Sequence, residues 1–153
     1  MSTLTESAAA PSQRKVDRLL AHYEESHRNP TNEKIHFVAV PLIMVSLLGL
    51  LFALHPWAAY GFVLASLVYY ARLSMVFLLT MTVLSLVGLA LVHAMGERVL
   101  PLSVAIFVAA WIAQFVGHKV EGRKPSFFED LQYLWVGPIF VLSKLFLKLR
   151  VRW

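Results

Sequence analysis

The nine residues QFVGHKVEG, Gln114 to Gly122, close a long apolar run with three side chains that can do chemistry: a glutamine, a histidine and a glutamate. Trp111, Gln114, His118 and Glu121 follow one another at steps of three, four and three residues. On a helix that spacing draws a single stripe. Polar groups at membrane depth are costly and normally face a bundle interior or a wet cavity, so the stripe is expected to point at other helices. Two further histidines lie near the start of the chain, His27 and His36, on either side of Asn29-Pro30-Thr31-Asn32. On one straight helix they would stand roughly 13 Å apart, too far to share an ion. A break at Pro30, with Thr31 or Asn32 as the next N-cap, lets the chain fold His27 back over His36. Three imidazoles with open positions suit Zn, Fe, Cu or Ni, and Glu121 could complete the shell or orient a ligand. Cysteine is absent, so any metal must take nitrogen or oxygen ligands.

These side chains need elements to position them. The chain has 153 residues, 58% of them hydrophobic and 15% charged, with a mean hydropathy of +0.65. No Asp, Glu, Lys or Arg occurs from Ile35 to Ala71, from Leu73 to Gly96 or from Val99 to His118. A helix crossing the hydrocarbon needs about 20 mostly apolar residues. The expected architecture is all-α: an integral membrane four-helix bundle with spans at about 36–54, 58–71, 75–95 and 100–117. An amphipathic helix over 14–29 precedes it, with Val16, Leu19, Leu20 and Tyr23 on one side. Residues 1–13 are small and polar and are expected to form a disordered tail, leaving 14–153 as a single membrane domain. Leu131–Ser143 is uncharged but short, and Gly137-Pro138 interrupts it. It reads as an interfacial or re-entrant segment.

Four spans put both termini and the Arg72 turn on one side. All of the 14 Lys and Arg except Arg98 then lie on that side. The positive-inside rule makes it the cytoplasmic face, of the inner membrane if the cell is bacterial. Anionic headgroups account for the net charge of +5 without nucleic acid. His27, His36 and His118 share this face. His55 and His93 fall at the far interface as ordinary interfacial residues, and His22, five positions from His27, reads as solvated.

Two segments together resemble the 2-hydroxy fatty acid dioxygenase family, whose eukaryotic member acts in phytosphingosine breakdown. They are YEESHRNPTNEKIHFVAVPLI, Tyr23–Ile43, and WIAQFVGHKVEGRKPSFFEDLQYLWVGPIFVL, Trp111–Leu142. The resemblance runs from about residue 14 to 147. It is carried by Y-x3-H-x4-N-x3-H, by W-x2-Q-x2-G-H and by the following E-x3-P. It implies an Fe(II) enzyme of fatty acid α-oxidation that uses O2 to shorten a 2-hydroxy fatty acid by one carbon, releasing CO2. The family's histidines match His27, His36 and His118 as metal ligands, with Glu121 beside them as a catalytic candidate. Arg123 and Lys124 are candidates to hold the substrate carboxylate. Gln114 and Asn32 could hydrogen-bond a ligand imidazole or the substrate, and Tyr23, one turn before His27, packs beside them. Membrane lipids surround the site, and the alkyl chain would enter from the bilayer.

Two other readings make different demands. A non-enzymatic lipid-binding or scaffold protein needs no metal. A bis-histidine haem protein needs two imidazoles, such as His36 and His118, facing each other across a macrocycle.

Overall fold

Prolines and side-chain caps set where the helices begin. In the computed structural model, which describes residues 14–25, 27–122 and 133–153, six α-helices follow in chain order. Helix α1 is Lys15–Glu24 and α2 is Pro30–Leu54. Asn29 caps α2 by accepting the Thr31 N–H at 2.9 Å, and Pro30 takes the first helical position, where its missing N–H costs nothing. The cap is thus Asn29 rather than Thr31 or Asn32, and Asn-Pro starts α2 instead of only ending what precedes it. Helix α1 stops at Glu24, so His27 lies in the connection and not on a helix to residue 29.

The same devices recur downstream. His55 caps α3, Pro56–Ala71, and Ser74 caps α4, Met75–Ala94. A 3-10 turn at Gly96–Arg98 leads into α5, Val99–Glu121, which ends where Gly122 adopts φ 77°. Helix α6 is Val136–Leu149. Pro138 sits in its first turn, where proline is tolerated, so Gly137-Pro138 opens this helix and does not interrupt it. Residues 1–13, the expected tail, and 123–132, which include Arg123 and Lys124, lie outside the described residues.

Three of the expected spans are long and apolar enough to cross a membrane: Pro30–Leu54, Met75–Ala94 and Gly96–Glu121. Helix α3, with 16 residues, falls short of the roughly 20 a full crossing needs. It packs on α2 and α4, and α2 packs most extensively on α5. Helices α1 and α6 form a second group. Val16, Leu20 and Tyr23 of α1 bury against Val136, Ile139 and Phe140 of α6, with Tyr70 and Phe77 below them. Every residue from Val136 to Ser143 is buried, so α6 is covered by protein along its first half. Tyr70 donates its hydroxyl to the Trp135 carbonyl at 3.0 Å, and the Trp135 indole donates to Ser66 Oγ at 2.8 Å, joining α6 to α3. An ion pair between Lys144 and Glu24 joins α6 to α1.

Lipid tails are as apolar as leucine, so burial of aliphatic side chains does little to bring membrane helices together, and close backbone approach does more. Two glycines supply it between α2 and α5. A Cβ on Gly117 would stand 2.3 Å from Asn32 Oδ1, and one on Gly49 would stand 2.0 Å from Ser103 Oγ. Both separations are impossible, so each glycine lets a polar side chain of the partner helix press on its backbone. Gly61, by contrast, faces open space. Gly117→Ala is therefore expected to destabilise the protein in detergent by about 1–3 kcal/mol, the usual range for overpacking. Gly61→Ala should leave the unfolding midpoint unchanged or slightly raised.

Candidate metal centre

Three imidazoles from three segments meet at the end of the α2–α5 pair. His27 comes from the α1–α2 connection, His36 from the second turn of α2 and His118 from the last turn of α5. All three are buried, with exposures of 2%, 1% and 5%. Their ring centroids are 4.2 Å apart for His27–His36, 5.3 Å for His27–His118 and 5.1 Å for His36–His118. Each can offer one ring nitrogen such that all three atoms lie within 4.8 Å of one another.

Backbone carbonyls fix two of the tautomers. His27 Nδ1 is 2.7 Å from the Tyr23 carbonyl, and His36 Nδ1 is 3.0 Å from the Asn32 carbonyl, each four residues back. A carbonyl only accepts, so each Nδ1 carries the proton and each Nε2 presents a lone pair. The two Nε2 atoms face each other at 2.9 Å. Opposed lone pairs at that distance repel unless a proton or a cation is shared between them. Adjacent imidazoles on a metal, each about 2.1 Å from it, place their nitrogens about 3 Å apart. The donor set and its spacing therefore fit a divalent transition metal. Backbone carbonyls that orient ligand imidazoles through Nδ1–H are the usual outer partners of such a site.

The surroundings hold the imidazoles in place. Tyr23 stacks on His27 with centroids 4.1 Å apart and planes 9° from parallel. Phe140 of α6 packs against both rings, 5.5 Å from His27 and 4.9 Å from Tyr23. Glu121 holds the connection that carries His27: one carboxylate oxygen accepts the Arg28 N–H at 3.0 Å, and the other accepts the Asn29 N–H at 2.9 Å and Asn32 Nδ2 at 3.1 Å. Three N–H donors on one carboxylate tie α5 to the start of α2. Gln114 and Trp111, the upper members of the stripe, are buried and line a cavity of about 20 Å³ with Tyr23. That is room for one water-sized molecule. Gln114 Oε1 has no hydrogen-bond partner among the described residues.

The structure thus gathers His27, His36 and His118, with Tyr23 and Asn32 touching them, Gln114 one turn below His118, and Glu121, at the end of α5, bonded to the α1–α2 connection. Arg123 and Lys124 fall outside the described residues. His22 is exposed and lies 3.7 Å from Glu25. His93, also exposed, contacts the Leu89 carbonyl and the Tyr60 hydroxyl, and His55 contacts the Trp57 N–H. Reading the sequence alone missed Gly117 and the backbone N–H groups of Arg28 and Asn29. The Gly-His pair was a visible signal for the first; nothing in side-chain spacing marks the second.

Removing the Glu121 carboxylate frees the connection and with it His27. Glu121→Ala is expected to weaken divalent-metal affinity about 10–100-fold, the usual cost of losing an outer partner. Glu33→Ala, in the first turn of α2, should not; titration of the apoprotein with a divalent ion checks both.

Comparisons with known proteins place the chain in a family. The family described as 2-hydroxy-palmitic acid dioxygenase Mpo1-like matches residues 13–149. The 2-hydroxy-palmitic acid dioxygenase MPO1 of Saccharomyces cerevisiae is 31% identical over 137 residues, covering 85% of this chain and 79% of the yeast protein. No solved structure matches. The family match includes all three histidines together with the connection and the α5 terminus that hold them, and the chain belongs to the Mpo1-like family.

Proposed function

We propose that the protein is an Fe(II)-dependent dioxygenase that shortens 2-hydroxy fatty acids by one carbon at the cytoplasmic face of a membrane. One observation carries the reading: three buried imidazoles converge from separate segments, two of them with Nε2 lone pairs aimed at a common point. Membership of a family with a 2-hydroxy-palmitic acid dioxygenase supports the substrate class.

In this reading His27, His36 and His118 are the protein's ligands. Three neutral imidazoles leave the charge of a divalent ion uncompensated, which favours an anionic substrate over a neutral one. Bound ferrous iron would supply Lewis acidity toward the hydroxyl and carboxylate oxygens and electrons toward O2. The overall reaction balances with one O2 consumed per acid: the carboxyl carbon leaves as CO2, the former C2 becomes the new carboxyl, and water is the third product.

The side chains have distinct tasks. Tyr23 and Phe140 confine the His27 ring. Glu121 acts as a positioning residue through the connection, since both its oxygens are engaged there. Gln114 and Asn32 are placed to hydrogen-bond a ligand or the substrate head. Arg123 and Lys124, next in sequence after Gly122, are assigned to the substrate carboxylate. The apolar surface of the helices, with side chains such as Leu79, Leu86 and Ile112 at least 58% exposed, faces lipid. Both termini lie in the cytoplasm by the distribution of Lys and Arg.

The bis-histidine haem alternative meets a steric objection. With all three ring centroids within 5.3 Å, no slot for a macrocycle remains between His36 and His118. A lipid-binding scaffold leaves the opposed lone pairs without a purpose.

Purified protein reconstituted with ferrous iron is expected to hold about one iron per chain and to consume O2 with 2-hydroxypalmitic acid. Palmitic acid, which lacks the hydroxyl, should give no uptake. His27→Ala, His36→Ala and His118→Ala should each lose most of the iron and lower turnover by at least about 100-fold. A visible Soret band, or full iron retention in all three variants, would contradict the assignment.

A further inference from the structure

The small cavity beside the imidazoles leads onward. Val40 and Met44 line it, and both also line a larger apolar groove of about 370 Å³ between α2, α4 and α6. On α2 the groove follows the row that begins at His36: Val40, Met44 and Leu48 succeed it at four-residue steps. Met81, Gly88 and Leu91 form the α4 wall, and Pro138 and Leu142 the α6 wall. Ser85 is the single polar side chain among the lining residues described.

Its length has a meaning. From Phe37 to Leu48 the α2 wall runs about 16 Å at 1.5 Å per residue. One leaflet of hydrocarbon is about 15 Å deep, half of the roughly 30 Å core. One edge opens to lipid, where Phe37, Leu84 and Leu91 are exposed. Near the far end α4 comes close to α2: a Cβ on Gly88 would stand 3.1 Å from Leu48 Cδ1.

We propose that this groove holds the alkyl chain of the 2-hydroxy fatty acid, its head among the histidines and its tip at Leu48 and Gly88, which set the longest chain accepted. The inference rests on the 2-hydroxy fatty acid reading above. Three features select this occupant over a bulk lipid tail. The groove shares Val40 and Met44 with the small cavity, it has the depth of one acyl chain, and its walls are apolar while that cavity carries Tyr23 and Gln114. Entry through the lipid-facing edge lets the acid slide in sideways without leaving the bilayer.

The test uses the iron-loaded protein in phosphatidylcholine vesicles and a sixteen-carbon 2-hydroxy fatty acid carrying a diazirine at its last carbon. Light-induced adducts, mapped by mass spectrometry, are expected on the groove residues Val45 and Leu48 of α2 and Leu84, Gly88 and Leu91 of α4. Excess 2-hydroxypalmitic acid should suppress them and excess phosphatidylcholine should not. Gly88→Leu fills the far end. Leu91→Trp does so from a half-exposed position that does not threaten the fold. Each should cut adduct yield and kcat/KM for the sixteen-carbon acid about fivefold or more, while leaving a ten-carbon acid within about twofold. Leu86→Trp, outside the groove, should change neither.

Adducts spread over lipid-facing residues such as Leu86 and Val104, with no competition by the acid, would overturn the proposal. So would an unchanged sixteen-to-ten-carbon ratio in both groove variants. Competed adducts in the groove without O2 consumption would uphold the groove and remove only the assigned reaction.

Discussion

Two imidazole nitrogens that face each other at 2.9 Å, each with its lone pair forward, form the constraint on which the structure turns. The arrangement is unfavourable by itself in a site shut off from water, and it becomes favourable when a cation lies between the rings. The protein maintains it from behind. The Tyr23 and Asn32 carbonyls hold the two Nδ1–H groups, and Glu121 fixes the connection that carries His27. Gly117 lets Asn32 reach the α5 backbone, which brings His118 level with His36. Each of these contacts acts on ligand position without itself offering a metal donor.

The location at one end of the α2–α5 pair follows from what membrane helices can bury. Polar side chains in the middle of a span are costly, whereas in the proposed topology the last turn of α5 and the first turns of α2 would stand where hydrocarbon gives way to headgroups. A 2-hydroxy fatty acid divides in the same manner, with a charged chelating head and an apolar tail. A catalyst built at this boundary meets both parts of its proposed substrate without drawing either into the wrong medium. The second group of helices, α1 and α6, completes the enclosure: α1 carries Tyr23 to His27, and α6 brings Phe140 against the same ring.

Much of this is legible in the sequence. The charge-free runs mark α2, α4 and α5 because so long an absence of charge is seldom found outside lipid. The Trp111–Gln114–His118–Glu121 stripe survives because helical periodicity is local. Pro30 signals the fold-back of His27, yet the expected cap falls two or three residues late. Asn29, Thr31 and Asn32 are all good caps, and only the backbone decides among them. Gly137-Pro138 looks like an interruption because its position within α6 depends on where that helix starts, and α6 packs on α1 and α2, which are remote in sequence. The three donors on Glu121 include two backbone N–H groups, which carry no signature of residue type. Gly117 and Gly49 matter through a partner helix, and no single-segment pattern reveals which glycine is approached.

X-ray absorption at the iron edge of the ferrous protein tests the central claim most directly, because it reports the ligands themselves. The account predicts three imidazoles on one iron at about 2.1 Å, the ordinary metal–imidazole distance, and two in His118→Ala where iron is retained. A spectrum with oxygen scatterers alone, or one unchanged by the loss of His118, would contradict it.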